Sequence, residues 1–173
     1  MLETLYITFF RPQTTRPAAG SALLIALGVL LVLALNAAGV LSAGPAGLMG
    51  LFLLFSLGGL LGVFWLTAAL HLLAHLLGGQ GSAAQTLGAV LQSLWPLLLT
   101  GPAVAALTWS RPLGILLSLG INLGVLTCGV AALKQVHDLD WVRATVCFGL
   151  SLLLAQLALV GLAIWPAMII LGM

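Results

Sequence analysis

The chain alternates long apolar runs with short polar breaks. Runs at about 21–43, 48–77, 83–109, 113–133 and 142–170 are almost free of charge. Crossing a bilayer takes about 20 apolar residues, and each run reaches that length. Inside lipid no water is available to the backbone, so a crossing segment must satisfy its own N–H and C=O groups, as a helix does. The pattern therefore predicts an all-α, polytopic transmembrane bundle of five spans over residues 21–173, preceded by a short segment, 1–20. In that segment Leu2, Leu5, Tyr6, Phe9 and Phe10 fall at helical spacing, and Arg11-Pro12 ends the turn. This reads as a short helix lying in the membrane interface. Arg11 and Arg16 before the first run also fit a signal peptide, but the basic region is long and four more spans follow, which favours a retained first span.

The breaks are more informative than the runs. The second run holds about 30 helical residues, roughly 45 Å, against a hydrocarbon core of about 30 Å. The surplus is expected to protrude at its far end, where His71 and His75 stand one turn apart. Gly78-Gly79 then stops the helix, because glycine accepts a left-handed cap. Ser82 and Gln85, three residues apart, match a capping box that starts the next helix. The third run contains Pro96, which should kink it at mid-membrane. Ser110-Arg111-Pro112 forms the next turn, and Lys134–Asp140 reads as a polar loop before the last span.

Composition closes off several function classes. Hydrophobic residues make up 62% and charged residues 5% of the chain, against about 25% charged in soluble domains, so the apolar surface must face lipid. Five Lys/Arg against three acids leave no clustered basic patch for nucleic acid. The basic residues divide unevenly. Arg11, Arg16, Lys134 and Arg143 fall on one side of a five-span layout and Arg111 alone on the other. By the positive-inside rule the N-terminus is cytosolic and the C-terminus outside. Trp109 and Trp141 fall at interfaces, where amphipathic rings are favoured.

No Asp, Glu, Lys or Arg lies deep in any predicted span. Ionisable groups within the membrane mark proton relays and ion pathways, and acid–base catalysis needs a donor–acceptor pair. The expectation is a protein that is not an enzyme and carries no cofactor. The candidate partner- or lipid-binding rim is His71, His75, Gly78, Gly79, Gly81, Ser82, Lys134, Asp138, Asp140 and Arg143. His71 and His75 share a helix face at a spacing that can bind metal, and His137 or the neighbouring aspartates could add a third ligand. Without the metalloprotease glutamate this motif is weak, and interfacial histidines are the simpler reading. Asp138 and Asp140 read more simply as helix N-caps. Gly78–Ser82 lacks the lysine and the preceding strand of a phosphate loop. Within the spans, Gly58/Gly62 and Gly120/Gly124 form GxxxG pairs expected to pack helices inside the bundle, with a homodimer face as the alternative. Asn122 and Gln156 near mid-depth are expected to hydrogen-bond across helices. Cys128 and Cys147 read as small packing residues.

The stretch HLLAHLLGGQGSAAQTLGAVLQSLWP, His71 to Pro96, resembles the core of the Yip (Ypt/Rab-interacting protein) domain family: a span ending in a Gly-Gly-x-Gly-Ser-like turn, then a helix reaching a mid-span proline. LKQVHDLDWVRATV, Leu133 to Val146, and the Phe10-Arg11-Pro12 segment are similar to the family's last inter-span loop and pre-membrane helix. The resemblance implies five spans and a cytosolic N-terminus. Eukaryotic members are trafficking scaffolds that bind small GTPases and shape vesicles. This chain lacks their longer N-terminal region and its tyrosine-containing motif, so the resemblance does not carry GTPase binding over. The short Ala-, Leu- and Gly-rich form resembles bacterial members, implying an inner-membrane protein. The expected role is a non-enzymatic scaffold that organises lipid, other membrane proteins or itself. The alternative is a small-solute transporter or channel lined by Asn122, Gln156 and the kinked third span.

Overall fold

The computed structural model describes residues 19–170, with side chains from 22 to 158. The interfacial helix expected from Leu2, Leu5, Tyr6, Phe9 and Phe10 lies outside the described residues. All regular elements among the described residues are helical: α1 (Ala19–Val40), α2 (Pro45–Leu76), α3 (Ala83–Ser93), a 3-10 turn (Trp95–Leu99), α4 (Thr100–Trp109), α5 (Arg111–His137) and α6 (Trp141–Ile170). The 3-10 turn joins α3 and α4 into one span. Five helical segments are thus long and apolar enough to cross a bilayer. Their surfaces agree with that reading: Leu61, Phe64, Trp65, Leu116 and Leu157 are large, apolar and exposed, which is tenable only where lipid covers them.

The broken third span packs against α1, α2 and α5, while α6 closes the bundle between α2 and α5. Proline explains the break. Pro96 has no N–H for the preceding turn and its ring clashes with the carbonyl four residues back. The chain answers with five residues of tighter 3-10 winding in place of a bend in one continuous helix. Pro96 is buried, and a side chain added at Gly124 of α5 would meet its ring at 3.4 Å, so Gly124 lets α5 seat against the break.

A buried apolar cluster lies toward the histidine end. Leu70, Ala74, Val90, Leu133, Leu139, Ala144, Cys147 and Phe148 form it, drawn from α2, α3, α5, α6 and the α5–α6 turn. Cys147 is fully buried with its Sγ 3.6 Å from the Leu70 carbonyl oxygen.

The Lys134–Asp140 loop is shorter than its polarity suggests. α5 continues through Lys134 to His137, and Asp138 ends it in the left-handed region at φ 52°, ψ 40°. Aspartate tolerates that conformation better than most residues. Asp138 is therefore the C-terminal stop of α5 and does not cap α6. Asp140 does cap α6: its Oδ1 accepts the Arg143 backbone N–H at 2.7 Å.

Candidate functional site

The site is built by two helix endings that meet. α2 closes at Leu77 and Gly78 (φ +90°). The Gly78 N–H donates to the His75 carbonyl at 3.0 Å and the Gly79 N–H to the Ala74 carbonyl at 2.8 Å. This paired pattern is a Schellman cap, and it requires a left-handed residue that only glycine supplies without strain. Four residues on, Ser82 starts α3. The Gln85 N–H donates to Ser82 Oγ at 3.3 Å, and the Ser82 N–H donates to Gln85 Oε1 at 2.9 Å.

Between these caps the turn wraps His137, the last residue of α5, whose side chain is 1% exposed. The Gln80 N–H donates to the His137 carbonyl at 3.3 Å. The Gly81 N–H donates to His137 Nδ1 at 3.2 Å. Nε2 lies 2.8 Å from Thr86 Oγ1, and that hydroxyl donates its one proton to the Ser82 carbonyl at 2.9 Å. The proton inventory then fixes the tautomer. Nδ1 accepts, so it carries a lone pair. Oγ1 has already used its proton, so Nε2 must carry the hydrogen and donate. His137 is a neutral imidazole with both nitrogens satisfied, which is how a buried polar ring avoids a desolvation cost.

The glycines of the turn are fitted to this ring. A Cβ at Gly79 would stand 2.8 Å from His137 Cβ and Nδ1, and one at Gly81 would stand 2.6 Å from the Val136 carbonyl oxygen. Both glycines are buried; they serve the lock between turn and α5, and their faces are not open to a partner. Gly78 and Ser82 are exposed.

His71 and His75 complete a three-ring group. Ring centres are 4.5 Å apart for His71–His75, 5.8 Å for His71–His137 and 6.0 Å for His75–His137. His75 is exposed and His71 half-buried, and His71 Nδ1 is fully buried without a hydrogen-bond partner. The rings do not make a three-ligand metal site. His137 has no free nitrogen, and no group of three His, Cys, Asp or Glu among the described residues is arranged to hold an ion. The basic residues of the rim are tied to the same corner. Arg143 Nη1 reaches the Leu77 carbonyl at 3.5 Å, at the negative end of α2, and Lys134 Nζ sits 4.8 Å from the centre of the Trp141 ring. The structure thus brings together His71, His75, Gly78, Gly79, Gly81, Ser82, Lys134, Asp140 and Arg143, with Asp138 at the joint. Thr86, which the sequence reading passed over, is the added member. Its signal was the spacing: it stands four residues after the capping serine.

The mid-span residues fare differently. Gly58, Gly62 and Gly120 have nothing within 4 Å of an added side chain, so they do not pack the bundle; Gly59, one position along, does, at 3.0 Å from Leu30. Asn122 is exposed and donates to the Ser118 carbonyl of its own helix at 2.8 Å, so it makes no cross-helix bond through that amide. Gln156 is exposed on α6. A polar bond between spans runs instead from Asn36 Nδ2 to Thr100 Oγ1, at 3.4 Å.

No curated protein and no solved structure matches this chain. A family model described as the Yip1 domain matches residues 7–164. That match covers every helix described above apart from the end of α6, and with five membrane-length helices behind it the chain belongs to the Yip1 domain family of multi-pass membrane proteins.

Proposed function

We propose that this protein is a non-enzymatic membrane scaffold that presents its histidine end to the cytosol as a fixed platform for lipid or protein partners. The observation that carries the reading is the lock at that end. Hydrogen bonds spanning more than fifty residues of sequence hold the α2–α3 turn to the end of α5, and Arg143 of α6 reaches the end of α2. A platform of this kind offers exposed His75, Gln80, Asp138, Asp140 and Arg143 in constant register. Orientation rests on Lys134 and Arg143 lying at this end and Arg111 at the other. The Ala-, Leu- and Gly-rich composition suits a bacterial inner membrane. A transporter reading is disfavoured by Asn122, whose amide is turned back on its own helix.

The test is site-specific photo-crosslinking in native membranes. A crosslinker at Gln80 or Arg143 is expected to capture a discrete protein or lipid species that one at Arg111 does not. Equal capture at both ends, or none at either, sinks the reading.

A further inference from the structure

Two observations about the histidine group are unused by the scaffold reading. His137 is saturated with hydrogen bonds, yet beside it His71 keeps a buried ring nitrogen with no partner. An unsatisfied polar atom inside a protein needs an explanation, and a bound ion is one of them. The second observation is the placement of its neighbour: His75 stands one helical turn away, with ring centres 4.5 Å apart and planes at 88°.

The geometry points to a two-imidazole chelate for a borderline transition-metal cation, Cu²⁺ in type, formed by His71 and His75 alone. A cation about 2.0–2.1 Å from an imidazole nitrogen lies ~3.2 Å from that ring's centre, so two imidazoles at the right angle of a tetragonal Cu²⁺ site, not the wider angle of tetrahedral Zn²⁺, have centres about 4.5 Å apart. The pair is already at that separation. Imidazole nitrogen suits Zn and Cu, whereas Mg and Ca take oxygen ligands. A cation arrives by way of His75, since His71 Nδ1 itself is covered. α2 has 32 residues, about 48 Å against a hydrocarbon core of about 30 Å, so its last turns extend past the lipid, and His75 is exposed. Water fills the remaining positions on the cation. His137 forms a wall of the site and does not ligate, because binding through either nitrogen would break the bond to Gly81 or to Thr86.

The test uses the full chain without a polyhistidine tag, in nanodiscs of phosphatidylcholine, titrated with Cu²⁺ alone. Pulsed EPR counts the coordinated imidazoles. The expected result is a single bound ion per chain with two imidazoles. The exposed His75→Ala variant should leave one imidazole and weaken binding by about a hundredfold or more, the loss expected when a second attachment point is removed. His137→Gln, whose amide can both accept from Gly81 and donate to Thr86, should keep the two-imidazole signature. Identical titrations for wild type and His75→Ala would overturn the proposal, and so would loss of an imidazole in His137→Gln, which would make His137 a ligand.

Discussion

The two ends of the bundle are closed by different means. At the histidine end, the turn after α2 and the end of α5 are hydrogen-bonded to each other through His137. At the opposite end, the breaks are closed by bonds within a few residues: Leu41 N–H to the Ala37 carbonyl, Ala43 to Ala38, Ser110 to Ala106 and Gly114 to Ser110. Trp109 beside that break is 88% exposed. Local closure holds each helix end but does not fix one helix against another. Long-range closure does both, because moving α5 relative to the turn would strand buried polar groups, at about 1–3 kcal/mol each. One end is thus a rigid joint, and the other is held by apolar contact, lipid and the long Asn36–Thr100 bond.

The glycines give the sharpest way to break this contrast. Gly79→Ala places a methyl 2.8 Å from His137 and 2.9 Å from the Ala74 carbonyl oxygen. The backbone oxygen cannot give way, so the lock must shift. Overpacking of this kind costs about 1–3 kcal/mol, and loss of the Gly81–His137 bond would add to it. Gly58→Ala in α2 meets open space and should be neutral or stabilising by about 0.5–1 kcal/mol, since alanine is the better helix former. Thermal unfolding in detergent, followed by tryptophan fluorescence, separates the two. If both variants melt alike, the rim glycines are not fitted to His137.

His137→Ala comes next. It removes the acceptor for a buried N–H and the donor to Thr86, and it empties a side-chain volume at the edge of the apolar cluster. The expected loss is about 2–4 kcal/mol. His137→Gln should recover much of it, and amide hydrogen exchange over residues 78–86 should rise in the alanine variant alone. Exchange unchanged in both would mean that the turn is held by its own caps.

The span layout and the caps were legible in sequence because they depend on local chemistry. Apolar run length sets the spans, Gly78 can take a positive φ, and Ser82 with Gln85 is a reciprocal pair three residues apart. His137 was not legible as the joint. Its partners are Gly81 and Thr86, over fifty positions away, and nothing in a polar KQVHDLD stretch says that one member turns inward. Of the GxxxG glycines only Gly124 meets a neighbouring element, Pro96, and the other three do not, for a related reason. Gly58 and Gly62 share a helix face, but the sequence does not say which face meets a neighbour, and in α2 it is Gly59 that meets Leu30. Lys134–His137 are helical because polarity argues against burial in lipid, not against helix; the 27 residues of α5, about 40 Å, are longer than a hydrocarbon core of about 30 Å.

Capping at Asp140 sharpens the comparison at lower energy. Asp140→Ala removes the Oδ1 acceptor for the Arg143 N–H and should cost about 1 kcal/mol. Asp138→Gly relieves a left-handed conformation and should add a few tenths to about 1 kcal/mol of stability. The two substitutions, two residues apart and both removing an aspartate, should move the melting temperature in opposite directions. Movement in the same direction would mean that charge at this end, and not backbone geometry, sets its stability.

The smallest effect is expected at Asn122. Its amide donates to the Ser118 carbonyl one turn back, a carbonyl that already lies within the backbone ladder of α5. Replacing it with leucine removes a polar group from a surface that lipid covers and breaks no bond between helices, so stability should change by no more than about 0.5 kcal/mol. A cross-helix amide would behave otherwise, because its loss would strand a partner on another span. Asn36→Leu supplies that comparison, since the Asn36 amide reaches Thr100 on the third span, and it should destabilise more than Asn122→Leu in the same unfolding assay. If Asn122→Leu proves the more damaging, its amide has a partner outside this chain, and the face of α5 around Gly120 then meets a second protein instead of lipid.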